Sequence, residues 1–245
     1  MFFTKTFRHD TYPFISPSLV NMSGKTVLIT GASRGIGFAL AASYAKAGVS
    51  NIVLAARSSL EDTKAAVLKA AKVAGRPEPS LLLLKLDVSD PESVLETARQ
   101  VQQKFSTVDV LVNNAGYMEP LGFVGDSNPE NWWKAYEVNL RGPYLMIKAF
   151  LPIMVENEGD RQIVNVGIVG ALWVIPSLSG YPTAKLALMR LTEVLDAEYA
   201  SQGVLTFSLH PGGIRTDLAL GLPEKLHQCE LLPFCSSYPN HSLTI

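Results

Sequence analysis

Cysteine is nearly absent from this chain of 245 residues, which carries only Cys229 and Cys235 near its C-terminus. With no histidine at a metal-ligand spacing from them, they give neither a disulfide framework nor a metal site, and they read as reduced thiols of an intracellular protein. An excess of one charge is also missing. The 21 Lys and Arg are met by 22 Asp and Glu, a net charge of -1, which leaves no basic field for nucleic acid and no polybasic membrane signal. Long apolar runs are lacking at the start: Met1-Phe2-Phe3 is followed at once by Lys5, Arg8, His9 and Asp10. That excludes a signal peptide or membrane helix there and predicts a cytoplasmic protein. The four histidines are scattered, so no Cys/His metal cluster and no Ser/His/Asp nucleophile is suggested. No internal repeat or low-complexity segment occurs. What remains is a small-molecule protein, and a 47% hydrophobic content at this length is enough to bury the core of one α/β domain.

What is present is alternation. Lys25-Thr-Val-Leu-Ile-Thr30 is a short apolar run ending in a glycine turn, and Phe38 to Ala47 reads as an Ala-rich helix stopped at Gly48. The pattern repeats with a strand over Asn51 to Ala56, a helix over Glu61 to Ala74, and a strand over Ser80 to Leu86. Asp90-Pro91 supplies an N-cap and a first-turn proline for a helix to about Phe105. Val108 to Val112, Gln162 to Val166 and Val204 to Leu209 complete six apolar strands, as expected where helices cover both sheet faces. Such a chain predicts a single-domain Rossmann fold, a doubly wound parallel sheet, over residues 23–228. Residues 1–22 read as an N-terminal extension and 229–245 as a tail without a clear period.

Two features carry chemistry. Thr30-Gly-Ala-Ser-Arg-Gly-Ile-Gly37 follows a strand and opens a helix, so its backbone can approach a pyrophosphate at the helix N-terminus. Arg57 ends the second strand where an acidic residue would otherwise hold a ribose 2′-hydroxyl, and Arg34 and Arg57 together point to a 2′-phosphate, hence NADP over NAD. Tyr181 and Lys185 in Tyr181-Pro-Thr-Ala-Lys185 lie one helical turn apart on one face. An ammonium there would stabilise phenolate and make the tyrosine an acid/base near neutral pH. Each feature has a plain alternative: a strand-to-helix turn, solvated arginines, a chance Tyr/Lys pair.

Taken jointly, Thr30-Gly-Ala-Ser-Arg-Gly-Ile-Gly37, Asp87-Val88, Asn113-Asn-Ala-Gly116, Asn139, Tyr181-x-x-x-Lys185 and Pro211-Gly212-Gly-Ile-Arg-Thr216 resemble the short-chain dehydrogenase/reductase family in order and spacing. The leading His9 to Pro17 segment looks like the extension of fungal members, which implies a place in secondary metabolism. The resemblance implies that Gly31, Ser33, Arg34, Gly35, Ile36 and Gly37 hold the cofactor phosphates and that Asp87 and Val88 meet its adenine. Asn113, Ala115 and Gly116 would support the sheet beside it, and Pro211, Gly212, Ile214 and Thr216 would approach the nicotinamide. It further implies that Tyr181 exchanges a proton with a carbonyl or secondary alcohol, that Lys185 acidifies the phenol and holds the ribose, and that Asn139 anchors a water relay to Lys185. The subunits would pair as a homodimer through helices around Asn131 to Phe150 and Tyr181 to Ala200.

Two departures stand out. The family places a serine thirteen positions before the tyrosine, where this chain has Ile168; an isoleucine cannot donate a hydrogen bond to a substrate oxygen. Ser177 and Ser179 are the nearby hydroxyls that could replace it. The family also continues past Pro211-Gly212 through a covering helix and a last strand, which the segment Leu218 to Ile245 is too short and irregular to supply. A missing final strand is expected, and it disfavours a tetramer. The alternative function is a dinucleotide-binding protein with little turnover.

Overall fold

The computed structural model describes residues 15–156, 159–214 and 216–220. Most of the N-terminal extension, both cysteines and the tail 229–245 lie outside the described residues, as does the stretch on which the expectation of a missing seventh strand rests. Six strands form one parallel sheet in the order β3-β2-β1-β4-β5-β6. They are β1 (Thr26–Thr30), β2 (Asn51–Ala56), β3 (Ser80–Lys85), β4 (Val110–Asn113), β5 (Gln162–Val166) and β6 (Leu205–Leu209). Between them run α1 (Gly35–Lys46), α2 (Glu61–Val73), α3 (Pro91–Phe105), α4 (Pro129–Tyr136), α5 (Gly142–Glu156) and α6 (Gly180–Tyr199), with a short α7 (Asp217–Leu220) after β6.

Alternate side chains of β1 enter two cores. Val27 and Ile29 pack with α1 and α2 through Ala41, Ala45, Val67 and Ala71, whereas Leu28 joins α3 and α5 through Val94, Val101, Met146 and Phe150. The uninterrupted apolar runs of the central strands follow from this two-sided burial. The outer strands differ from that expectation: β3 is largely half-buried, and β6 exposes Leu205, Phe207 and Leu209 among the described residues. Among the described residues, both are edge strands with a neighbour on one side only.

Capping follows the sequence at α3, where the Asp90 carboxylate accepts the Glu92 N–H at 3.1 Å and Pro91 occupies the first turn. Asn128 does the same for α4, accepting from the Asn131 N–H at 2.9 Å. Between α4 and α5 the helix does not break but widens into a π-helical turn, Glu137–Arg141. The Asn139 side chain, fully buried, donates back to the Ala135 carbonyl at 2.7 Å inside that turn. Among the described residues, no helix is long and apolar enough to cross a membrane.

Candidate active site

The order of the sheet reverses between β1 and β4, and ligands of open α/β sheets bind outside the strand C-termini at such a point. A cleft of about 290 Å³ opens there, lined from the C-terminal ends of all six strands: the glycine turn after β1, Arg57 after β2, Asp87 after β3, Asn114 to Gly116 after β4, Ile168 after β5 and His210 to Gly212 after β6. Tyr181 and Lys185 enter it from α6, and Thr216 to Leu218 border it at α7.

The glycine turn is held by a clamp. Thr30 Oγ1 accepts from the Asn114 and Ala115 N–H groups, both at 3.0 Å, and the Asn114 amide donates to the carbonyls of Thr30 and Gly31 at 2.9 and 3.1 Å. Gly31 has φ +64°, and a Cβ there would stand 2.8 Å from the Ala115 Cα, so only glycine fits. Gly37 lies behind the turn: its Cβ would strike the Asn114 amide at 2.6 Å and the Gly31 carbonyl. The helix it opens has neither a side-chain cap at Arg34 nor an acid in its first turn. Its free N–H groups therefore face the cleft as an anion site, which fits a pyrophosphate.

Charge lines the cleft beyond β2 and β3. Arg34 pairs with Asp217 at 3.1 Å and Arg57 with Asp87 at 3.8 Å, with Asp87 half-buried and the other three largely solvent-facing. Burial would push the Asp87 carboxyl up, but donations from the Ser89 hydroxyl and N–H, at 2.6 and 3.0 Å, and the nearby Arg57 hold it below the usual carboxylate value.

At the other end, Lys185 is 3% exposed, its Nζ donating to the Val166 carbonyl at 2.8 Å and lying 5.9 Å from the centre of the Tyr181 ring. Burial lowers its pKa to about 8. The expected acidification of Tyr181 by this ammonium is not the effect that wins: burial first, and then the Glu119 charge, push the phenol up to about 12. Glu119 lay hidden in the sequence. It sits on the loop after β4, 5% exposed, and its two carboxylate oxygens accept the N–H groups of Gly180 at 2.6 Å and Tyr181 at 2.9 Å.

Of the residues named from sequence, Gly31, Ser33, Arg34, Gly35, Ile36, Arg57, Asp87, Val88, Ala115, Gly116, Tyr181, Lys185, Pro211, Gly212, Ile214 and Thr216 all line the cleft. Gly37, Asn113 and Asn139 do not line it. Asn113 is buried below its floor, donating to Asn165 at 2.8 Å in the neighbouring strand. The Asn139 amide is committed to protein: it donates to the Tyr117 carbonyl at 2.6 Å as well as to Ala135 and accepts the Tyr117 N–H at 3.3 Å. Those bonds fix the side chain within the π-helical turn and tie that turn to the loop after β4. Ile168 does line the cleft, but neither candidate hydroxyl joins it there. Ser179 accepts the Trp132 indole N–H at 3.1 Å, and Ser177 has a positive φ of 72°. Sequence reasoning also passed over Asn114, Met118 and His210, all on the wall; desolvation holds the His210 imidazole below the usual histidine value. Asn114, inside the Asn113 to Gly116 segment, carried a signal, whereas a single histidine before Pro211 carried none.

This fold and cleft place the chain in a known group, and comparison agrees: the short chain dehydrogenase family model matches residues 25–226, so the chain belongs to the short-chain dehydrogenase family of oxidoreductases. The short chain dehydrogenase mpl6 of Monascus purpureus is 46% identical over 88% of this chain and 74% of its own length. Among solved structures, levodione reductase superposes with a TM-score of 0.73 at 30% identity, covering 86% of this chain and 78% of its own. A metagenomic short-chain oxidoreductase in complex with NADP gives a TM-score of 0.70 at 30% identity, covering 79% and 84%.

Proposed function

We propose that this chain is an NADP(H)-dependent oxidoreductase acting between a carbonyl and a secondary alcohol of a small molecule. The observation that carries this reading is the meeting of Tyr181 and Lys185 with the uncapped start of α1 in one cleft at the sheet's switch point. The glycine turn and first turn of α1 would hold the pyrophosphate, Asp87 and Val88 the adenine, Ile214 and Thr216 the carboxamide, and Lys185 the nicotinamide ribose. A nicotinamide dinucleotide, when bound, supplies or takes the hydride. Arg34 and Arg57 favour NADP. Their pairs with Asp217 and Asp87 are exposed and so weakly held, and a phosphate with its larger charge would draw both guanidinium groups away. The fungal source of mpl6 supports a place in secondary metabolism.

Tyr181 holds its proton firmly at neutral pH and presents it to a carbonyl oxygen, which suits reduction. The reverse reaction needs phenolate, so alcohol oxidation rises with pH. Lys185, whose pKa of about 8 still leaves it mostly charged at pH 7, attracts that phenolate as it forms. Ile168 supports a second reading, a dinucleotide-binding protein of low turnover, because an isoleucine, which donates no hydrogen bond, lines the cleft where the family has a serine.

The deciding experiment titrates NADPH and NADH and then follows NADPH oxidation against a panel of aldehydes and ketones. Tighter NADPH binding with turnover is expected, and Tyr181→Phe abolishes the turnover while leaving NADPH affinity within about threefold. Tighter NADH binding rejects the cofactor assignment. Binding without turnover favours the second reading.

A further inference from the structure

The helix that carries Tyr181 and Lys185 begins without help from its own flanking residues. Ser179 at its N-cap makes no capping bond, its hydroxyl being taken by Trp132, and Pro182 has no N–H to satisfy. The two remaining N–H groups of the first turn, those of Gly180 and Tyr181, both donate to Glu119, sixty residues upstream on another loop. Gly180 makes room for it: a Cβ at this position would stand 3.0 Å from the Glu119 carboxyl group. The loop is itself fixed two residues earlier, where Asn139 brackets the Tyr117 backbone with a donation and an acceptance. A buried chain of contacts thus runs from the π-helical turn through the loop to the backbone of the proton-carrying tyrosine.

We propose that Glu119 is a positioning residue for Tyr181: its carboxylate fixes the start of α6 and sets a negative charge against the positive end of that helix beside the phenol. The proposal rests on the reading of Tyr181 as the acid/base. A phenol in the first turn of a 20-residue helix would be drawn toward phenolate by the aligned peptide dipoles. Glu119 reverses that pull. Burial acts in the same direction, and together they keep the phenol protonated. Among the described residues, the titratable groups that share the cleft with Tyr181 are Arg34, Arg57, Asp87, Lys185, His210 and Asp217, and Glu119 after β4 adds its charge to the phenol. Glu119 is the group whose side chain accepts the Tyr181 N–H.

The test is a titration of the phenol in the full chain, read as tyrosinate absorbance from about pH 9 to above pH 12 after subtracting the same protein with Tyr181→Phe. In Glu119→Gln the Tyr181 titration should move down by about one pH unit, the scale of a helix-terminus charge interaction in a partly buried site. Glu119→Asp, which keeps the charge, should stay near the parent. The alkaline rise of alcohol oxidation should move with the titration. Should Glu119→Gln fail to fold, Gly180→Ala presses on the carboxylate from the other side and should lower the titration in the same direction. An unmoved Tyr181 titration in folded Glu119→Gln, or in Gly180→Ala in its place, overturns the proposal. Since the titration needs neither substrate nor cofactor, a protein without turnover would defeat the proposed activity and leave this readout intact.

Discussion

At the scale of single residues, the site is set by what surrounds Tyr181. Ile168 at the cleft wall is the residue whose replacement is most informative. Ile168→Ser restores a hydroxyl donor for a substrate oxygen, and such a donor commonly contributes on the order of 100-fold in turnover. The apolar volume removed lies at a pocket wall, where water or substrate can satisfy the new hydroxyl. Steady-state rates on the best carbonyl of the panel check this, and an unchanged rate with NADPH still bound means that the native reaction does not use this donor. The sequence made Ile168 visible, because it is a local departure at a fixed spacing from Tyr181. It could not make Glu119 visible. That carboxylate acts on Tyr181 through backbone N–H groups across sixty positions, a contact that neither periodicity nor spacing encodes. The same distance explains why the phenol's pKa moves opposite to expectation: the Tyr/Lys spacing is local, whereas burial and the Glu119 charge arise only once the loop after β4 is folded onto α6.

At the scale of elements, the turn between β1 and α1 is tightly packed. The Asn114 amide reaches across from the end of β4 to two carbonyls of β1 and the turn, and Gly37 gives it space. Gly37→Ala places a methyl group 2.6 Å from that amide, against backbone that cannot retreat. Overpacking of this kind costs about 1 to 3 kcal/mol. Urea unfolding should report that loss, and NADPH affinity should fall at least about tenfold as the turn shifts. A variant as stable as the parent and equally tight for NADPH would show that the turn has room. The elements themselves were legible: the strands begin and end within a few residues of their expected bounds, because two-sided burial writes continuous apolar runs into β1, β2, β4 and β5. The π-helical turn was not legible, since one extra residue within a helix leaves its apolar period readable on both sides.

At the scale of the whole molecule, several outward-facing apolar side chains lie on three helices. Trp133 on α4, Tyr144 on α5, and Leu186 and Val194 on α6 are all exposed, and Trp133 stacks on Tyr136 at 5.8 Å, which stiffens the surface. A homodimer through these helices is the expected assembly, since aromatic side chains at a rigid face suit an isologous contact. Sedimentation at micromolar concentration should give twice the chain mass, and Trp133→Glu should return it to one; a parent protein that is monomeric removes the interface. The π-helical turn bears on this arrangement through angular phase. From Pro129 to Glu156 the helix is continuous, and the π-helical turn admits one extra residue with little change of phase, because its bonds close over five residues where an α-helix closes over four. Deleting one residue at the turn would therefore restore a regular α-helix and leave Met146 and Phe150 facing the core, while taking away the widened turn from which Asn139 braces the cleft loop. Such a deletion would be felt at the loop that carries Glu119 and not in the core that Phe150 fills.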